Sequence, residues 1–369
     1  MRIAPFALER YYERWEFRAR LMLSGSDCES RSVADLLALE PDAERRLLEL
    51  RLGYTEVPGS PELRAAVAGH YERVEPDQVL GLAAAEEGIF VACHGLLDSA
   101  DHAVIEAPCY GSALELARST GAEVSAWQRR CEDGWAHDIE ALMRLLRANT
   151  RLIYINSPHN PTGTHMPAEV FEHVVELAAE RDIVLLSDEV YRGLEHDPAT
   201  RLPSACDRYE HAITLGAVSK AYGLPGLRVA WLASRDGALL ERAKEIKLYT
   251  TICSSAPSEL LVALAVRHAE RLIGASRELL LANLPALDAF LERRSELFSW
   301  VRPSAGPVGF ARVAGDFDVH AWCERIAAEA DVLLLPGSVY GQPRHVRLGF
   351  GRANLAQAVE RLDGYLQDL

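Results

Sequence analysis

Lys220 lies in the stretch LGAVSKAYGLPGLRVAW (215–231), and the chain has only two other lysines, Lys244 and Lys247, against 36 arginines. Arginine keeps its charge at any ordinary pH, whereas a lysine amine can lose its proton when desolvated and attack a carbonyl to form a Schiff base. A lysine kept in so arginine-rich a chain points to carbonyl chemistry. Upstream, SDEVY (187–191) closes an apolar run on Asp188. Burying that carboxylate is costly unless a cation or hydrogen-bond donor meets it. NSPHNPTG (156–163) brings Asn156 and Asn160 to the end of another apolar run, and Arg228 follows Lys220 by eight residues with a fork suited to an oxyanion. Taken singly, each has an ordinary explanation: Asp188 as a helix cap, 156–163 as a turn, Lys220 and Arg228 as surface charges.

The elements that would position these residues are short apolar runs alternating with amphipathic stretches between about residues 80 and 235. That is the pattern of a mainly parallel α/β sheet. The runs are 102–108, 123–127, 151–158, 182–189, 212–219 and 228–234. Between the third and fourth, Val170, Val174, Leu177 and Ala178 fall on one helical face after Pro167, which completes a strand, helix, strand unit. In open α/β sheets ligands gather beyond the carboxyl ends of strands, and 156–163, 187–191 and 216–223 all lie at such ends. From about residue 256 two long amphipathic helices are expected, over 258–273 and 276–294. A smaller α/β segment follows, with strands in 308–315, 331–338 and 345–352. The expected division is a large domain over 46–272 and a small one built from 1–45 and 273–369.

A net charge of −15 argues against a nucleic-acid or anionic-membrane surface. Seven cysteines without a C-x-x-C pair read as a reducing compartment, and with no signal-like or membrane-length apolar stretch the expectation is a cytoplasmic protein. The 12 histidines are dispersed without ligand spacing, so no metal site is expected.

In order and spacing, GYTEVPGSPELR (53–64), Pro108-Cys109-Tyr110, NSPHNPTG, SDEVY, SKAYGLPGLR (219–228) and the arginine of HVRLGF (345–350) resemble the fold type I, class I/II aminotransferases that use pyridoxal 5′-phosphate (PLP). The resemblance spans nearly the whole chain. It implies a large doubly wound, mainly parallel sheet domain plus a smaller α/β domain, and a homodimer with shared active sites. It also implies transfer of an amino group from an L-amino acid to a 2-oxo acid. Lys220 is then the Schiff-base residue and proton shuttle, and Asp188 the partner of the pyridine nitrogen. Asn160 and Tyr191 are expected to bond the cofactor's phenolic oxygen and Tyr110 to stack on the ring. Ser219, Arg228 and the backbone N–H groups of Ala85 and Glu86 are expected to hold the phosphate, with Tyr54 reaching that of the neighbouring subunit. Arg347, with Asn160 beside it, clamps the substrate α-carboxylate.

Two positions depart from the family pattern. Ala217 replaces a serine often found three residues before the lysine, and Glu86 stands where threonine or serine is common. A carboxylate beside a phosphate dianion is repulsive, so the Glu86 side chain is expected to turn to solvent or to an arginine. Ser26, Asp27 and Glu29 are candidates for contact with a basic or hydroxylated substrate, with Asp27 alternatively capping the helix before VADLLAL. Residues 249–259 resemble the stretch that approaches the partner's site in dimers. The alternatives are a β-eliminating or β-replacing lyase or a capreomycidine synthase-like cyclising enzyme and, in another class, a non-catalytic PLP-binding sensor.

Overall fold

The computed structural model describes residues 3–367. Its main sheet has seven strands in the order Val79–Leu82, Ala230–Ala233, Ala212–Ala217, Val184–Asp188, Thr150–Asn156, His102–Ala107, Glu123–Gln128. The last five pair in parallel, and the first two are antiparallel to their neighbours. All six expected runs form strands, and the α/β, mainly parallel architecture is as the pattern implies. Val184–Asp188 and Ala212–Ala217 are buried along their whole length, as strands covered by helices on both faces must be. The edge strand Val79–Leu82 was not among the expected runs. It is short and interrupted by Gly81, whose ideal Cβ would stand 3.2 Å from Pro58 O.

Helices cover this sheet, among them Ala85–Leu96, which packs on Gly237–Lys247, and Ala168–Glu180, whose Phe171, Val174, Val175 and Ala178 are buried. Further along, a four-stranded antiparallel sheet joins Leu335–Pro336, His345–Gly349, Val308–Val313 and Phe298–Trp300, and Leu21–Met22 pairs in parallel with Val332–Leu333. The two long helices run over Ala256–Arg267 and Ala269–Arg293, so the break falls at His268 rather than near residue 275. Ser276, expected to open the second helix, instead lies inside it and donates to Leu272 O at 3.2 Å, one turn back along the same helix.

Two glycines tie the site loops to the rest. Gly163 has φ +69°, and a Cβ there would meet Val308 O at 2.0 Å; its carbonyl accepts from Ser304 and Ala305 N–H at 2.8 and 2.9 Å. Gly223 has φ +68°, with Glu29 O at 2.2 Å from an ideal Cβ. Around it Arg31 N donates to Gly223 O at 3.1 Å and Cys28 N to Lys220 O at 3.4 Å, so the lysine loop and the 26–31 loop are laced together.

Candidate active site

At the carboxyl ends of the central strands a cavity of about 320 Å³ is lined by Ala84–Glu86, Tyr110, Asn160, Asp188, Tyr191, Ser219, Lys220, Arg228 and Arg347. Segments separated by more than 250 residues thus converge on the place that strand-end chemistry predicts. Ten of the eleven expected site residues line this one cavity. Tyr54 does not: it is 95% exposed, away from its own chain's site.

Lys220 is half-buried, and its Nζ donates to Ser26 Oγ at 3.0 Å. Burial holds its amine below the usual lysine range, Arg347 adding to the effect and Asp27 opposing it. Asp188 is buried at the end of its strand, accepting from Tyr154 Oη at 2.8 Å and from Val190 N at 3.2 Å. Burial lifts its carboxyl to about 6, against the lowering effect of those two bonds. A buried acid so placed, facing a cavity rather than an arginine, calls for a cationic N–H from a bound group. The protonated nitrogen of a pyridine ring is such a donor.

The other walls also fit PLP. Helix Ala85–Leu96 presents its amino terminus to the cavity, with Ser219 and Arg228 beside it, the donor set a phosphate dianion requires. Arg228 adopts φ +51° and is held by its Nη1 bond to Pro225 O at 3.0 Å, which leaves the rest of the exposed guanidinium available. Tyr110 presents a ring fixed edge-on by Phe6 at 4.9 Å and by its hydroxyl bond to Glu9.

Arg347 is 1% exposed, and among the described residues it has no carboxylate partner. Its Nε and Nη2 donate to Ser24 O at 3.1 and 2.8 Å, Nη1 to Asn160 Oδ1 at 3.0 Å and to Tyr340 Oη, and Nη2 to Tyr12 Oη at 2.6 Å. A buried guanidinium surrounded only by neutral oxygens retains its full positive charge for an anion. Asn160 spends its carbonyl on Arg347 and Tyr340, so its amide nitrogen is the group left to donate.

Glu86 meets the expectation of a turn to solvent only in part. The residue is half-buried and, among the described residues, pairs with no arginine; one carboxylate oxygen, Oε2, is buried without a hydrogen-bond partner among them, as is Ser112 Oγ. Burial lifts the Glu86 carboxyl to about 7; Glu9 and Asp188 add to this and Ser112 opposes it. Asp27 is not a helix cap either. Ser32 caps Val33–Leu37 in a capping box with Asp35, while Asp27 receives Arg352 Nη2 at 2.8 and 3.0 Å. Glu29 accepts from Ala353 N at 2.8 Å, so of the three residues proposed from this loop only Ser26 bonds Lys220.

Tyr12, Ser24, Tyr340, Tyr154, Glu9 and Glu16 were not singled out from sequence. The first three converge on Arg347 from three separate parts of the chain, and no local pattern marks them. Tyr154 was visible in principle, as the one polar-tipped side chain between Leu152 and Ile155.

The family model described as aminotransferase class I and II matches residues 29–362. Capreomycidine synthase of Streptomyces vinaceus is 32% identical over 356 residues, covering 93% of this chain and 88% of that protein. An aspartate aminotransferase of Thermotoga maritima is 28% identical, with 90% and 91% covered. Among solved structures, a PLP-dependent aminotransferase from Streptococcus suis superposes with a TM-score of 0.94 at 31% identity, over 100% of this chain and 99% of that one.

Proposed function

The chain belongs to the class I and II aminotransferases and is a PLP-dependent enzyme, and on that premise we propose that it works as a cytoplasmic homodimer in which Lys220, Asp188 and Arg347 carry the transfer of an amino group from an L-amino acid to a 2-oxo acid. The observation that carries this reading is one cavity holding a lysine amine kept low by burial, a buried acid lifted to about 6, and a buried arginine without a carboxylate partner.

When bound, PLP supplies a carbonyl for amine exchange and an electron-withdrawing ring that stabilises negative charge at the substrate Cα. The chain's residues do the rest. Lys220 would hold the cofactor through its amine and, with that amine freed by the substrate, would move the proton at Cα. Asp188, its charge favoured by Tyr154 and Val190, holds the proton on the ring nitrogen. Asn160 Nδ2 and Tyr191 would donate to the phenolic oxygen, and Tyr110 would cover the ring face. Ser219, Arg228 and the N–H groups of Ala85 and Glu86 would anchor the phosphate, with Tyr54 of each chain serving the other's site. Arg347 orients the α-carboxylate, with Asn160 beside it. With the division drawn at 46–272 and the flanking segments 1–45 and 273–369, residues of both parts line the cavity, and the helix Ala269–Arg293 runs across the boundary.

Support for the dimer comes from the surface. Leu48, Leu52, Tyr54, Tyr249 and Ile252 are exposed, and Thr55 Oγ1 bonds Ser254 O at 3.0 Å, bringing the two segments together into one apolar face. Seven free cysteines suit a reducing compartment.

The test is to supply the PLP-loaded protein with single L-amino acids, with and without a 2-oxo acid. A new amino acid formed only with the oxo acid present supports transamination. Continuous ammonia release or a cyclised product without an acceptor would favour the lyase or cyclase reading, for which the likeness to capreomycidine synthase speaks.

A further inference from the structure

The strands Thr150–Asn156 and Val184–Asp188 run in parallel and end together, Asn156 opposite Asp188. Asn156 is buried in the wall of the cavity and has no part in the chemistry described so far. Its side chain spans two residues that do. Oδ1 accepts from Asn160 N at 2.8 Å, and Nδ2 donates to Asp188 O at 3.0 Å. The Asp188 carbonyl also accepts from Ser157 N at 3.1 Å. Both Asn156 bonds therefore grip main chain, and they leave the Asn160 amide nitrogen and the Asp188 carboxylate unspent by this contact.

Asn156 is itself held from behind. Its N–H donates to Glu106 Oε2 at 2.9 Å, and the fully buried Glu106 is neutralised by Arg129, whose Nη1 reaches Oε1 at 2.8 Å. Arg129 Nη2 continues to Thr164 Oγ1 at 2.6 Å, just past the far end of the NSPHNPTG loop. A hydrogen bond to an ionised acceptor is about twice as strong as one between neutral groups, so the backbone of Asn156 is the firm end of this chain of contacts.

We propose that Asn156 is a positioning residue for the cofactor: it sets the separation of Asn160 and Asp188, with Glu106 as its anchor. The inference deepens the aminotransferase reading and rests on its assignment of Asp188 to the ring nitrogen and of Asn160 to the phenolic oxygen. Those two atoms belong to one rigid ring, so the groups that meet them must keep a fixed distance apart. The β ladder ends at the pair Asn156 and Asp188, and beyond it no strand pairing places Asn160. The Asn156 amide supplies the missing tie, because it carries an acceptor and a donor on one plane.

The experiment sets Asn156→Ala and Asn156→Gln beside Asn160→Ala and Asp188→Ala. It reads PLP affinity by equilibrium dialysis, the pH midpoint of the visible band of bound PLP, and Tm without PLP. An N–H directed at the phenolic oxygen favours its charged form, so a loosened Asn160 should move the midpoint upward. Asn156→Ala should bind PLP about tenfold more weakly and titrate about half a pH unit or more higher. Asn156→Gln carries the same amide on a longer stem, and a spacer of the wrong length should behave as the alanine variant does; should Asn156→Ala fail to fold, Asn156→Gln decides alone. Wild-type affinity and midpoint in Asn156→Gln overturn the inference. A lowered Tm with affinity and midpoint unaltered in Asn156→Ala also overturns it, leaving Asn156 a purely structural residue and the aminotransferase reading intact. If Asn160→Ala and Asp188→Ala both keep wild-type affinity and midpoint, the assignment of the ring contacts falls and takes the inference with it.

Discussion

Tyr154 donates a 2.8 Å hydrogen bond to Asp188 Oδ2 from the neighbouring strand, and both side chains are buried. The bond favours the charged carboxylate against the burial that lifts it to about 6. Tyr154→Phe should raise Asp188 further and weaken its hold on a protonated ring nitrogen. Loss of a hydrogen bond to a charged group predicts PLP affinity lower by about tenfold, measured by equilibrium dialysis. Affinity equal to wild type would mean that Asp188 does not bear on the ring.

Lys220→Arg keeps a cation beside Ser26 but removes the nucleophilic amine. Turnover should fall by roughly 10³-fold or more with Tm nearly unchanged, and Lys220→Ala should behave alike. Activity within tenfold of wild type in either variant would exclude Lys220 as the linking residue.

For Arg347→Lys, the fork is replaced by a point charge. KM for the amino acid should rise about 10- to 100-fold, with a smaller change in kcat. A selective fall in kcat would instead place Arg347 nearer the reacting atoms than the carboxylate.

Glu86 gives a pH signature in the cofactor-free protein. Its carboxyl is raised from 4.5 to about 7, so the folded state binds the proton more tightly than the unfolded one. The resulting cost is absent below about pH 4.5, grows as pH rises to 7, and is constant above. Glu86→Gln should therefore be more stable than wild type at pH 8 by on the order of 2–3 kcal/mol and nearly equal at pH 4.5, as read from urea unfolding. A difference independent of pH would show that Glu86 is not the titrating group.

Tyr249 is 90% and Leu52 80% exposed, which is unusual for a face left open to water. Tyr249→Glu and Leu52→Glu should each shift the protein toward monomer in sedimentation velocity. Because Tyr54 would serve the neighbour's phosphate, the monomer should also lose PLP more readily.

The parts legible in sequence are those where local pattern and chemistry coincide. Lys220 and Asp188 each close or follow an apolar run, so their type and their place at a strand end are both visible before folding. Arg347 could be named from its motif, but Tyr12, Ser24 and Tyr340 could not, because they meet it only through tertiary packing. For Glu86, repulsion by a phosphate suggested a turn outward; the residue is half-buried, and the burial of its Oε2 is a tertiary feature that the sequence does not show. Likewise, the cap of Val33–Leu37 is Ser32, directly before the helix, whereas Asp27 lies five residues further back and bonds Arg352.

All five N–H bonds of Arg347 are already occupied before any substrate arrives. Carboxylate capture is therefore an exchange reaction, whose strength is the difference between two sets of hydrogen bonds. One of the outgoing partners, Tyr12, belongs to the first helix, Ala7–Trp15. The amino-terminal segment is thus a competing internal ligand, and the concentration at which substrate wins depends on how firmly that helix is seated.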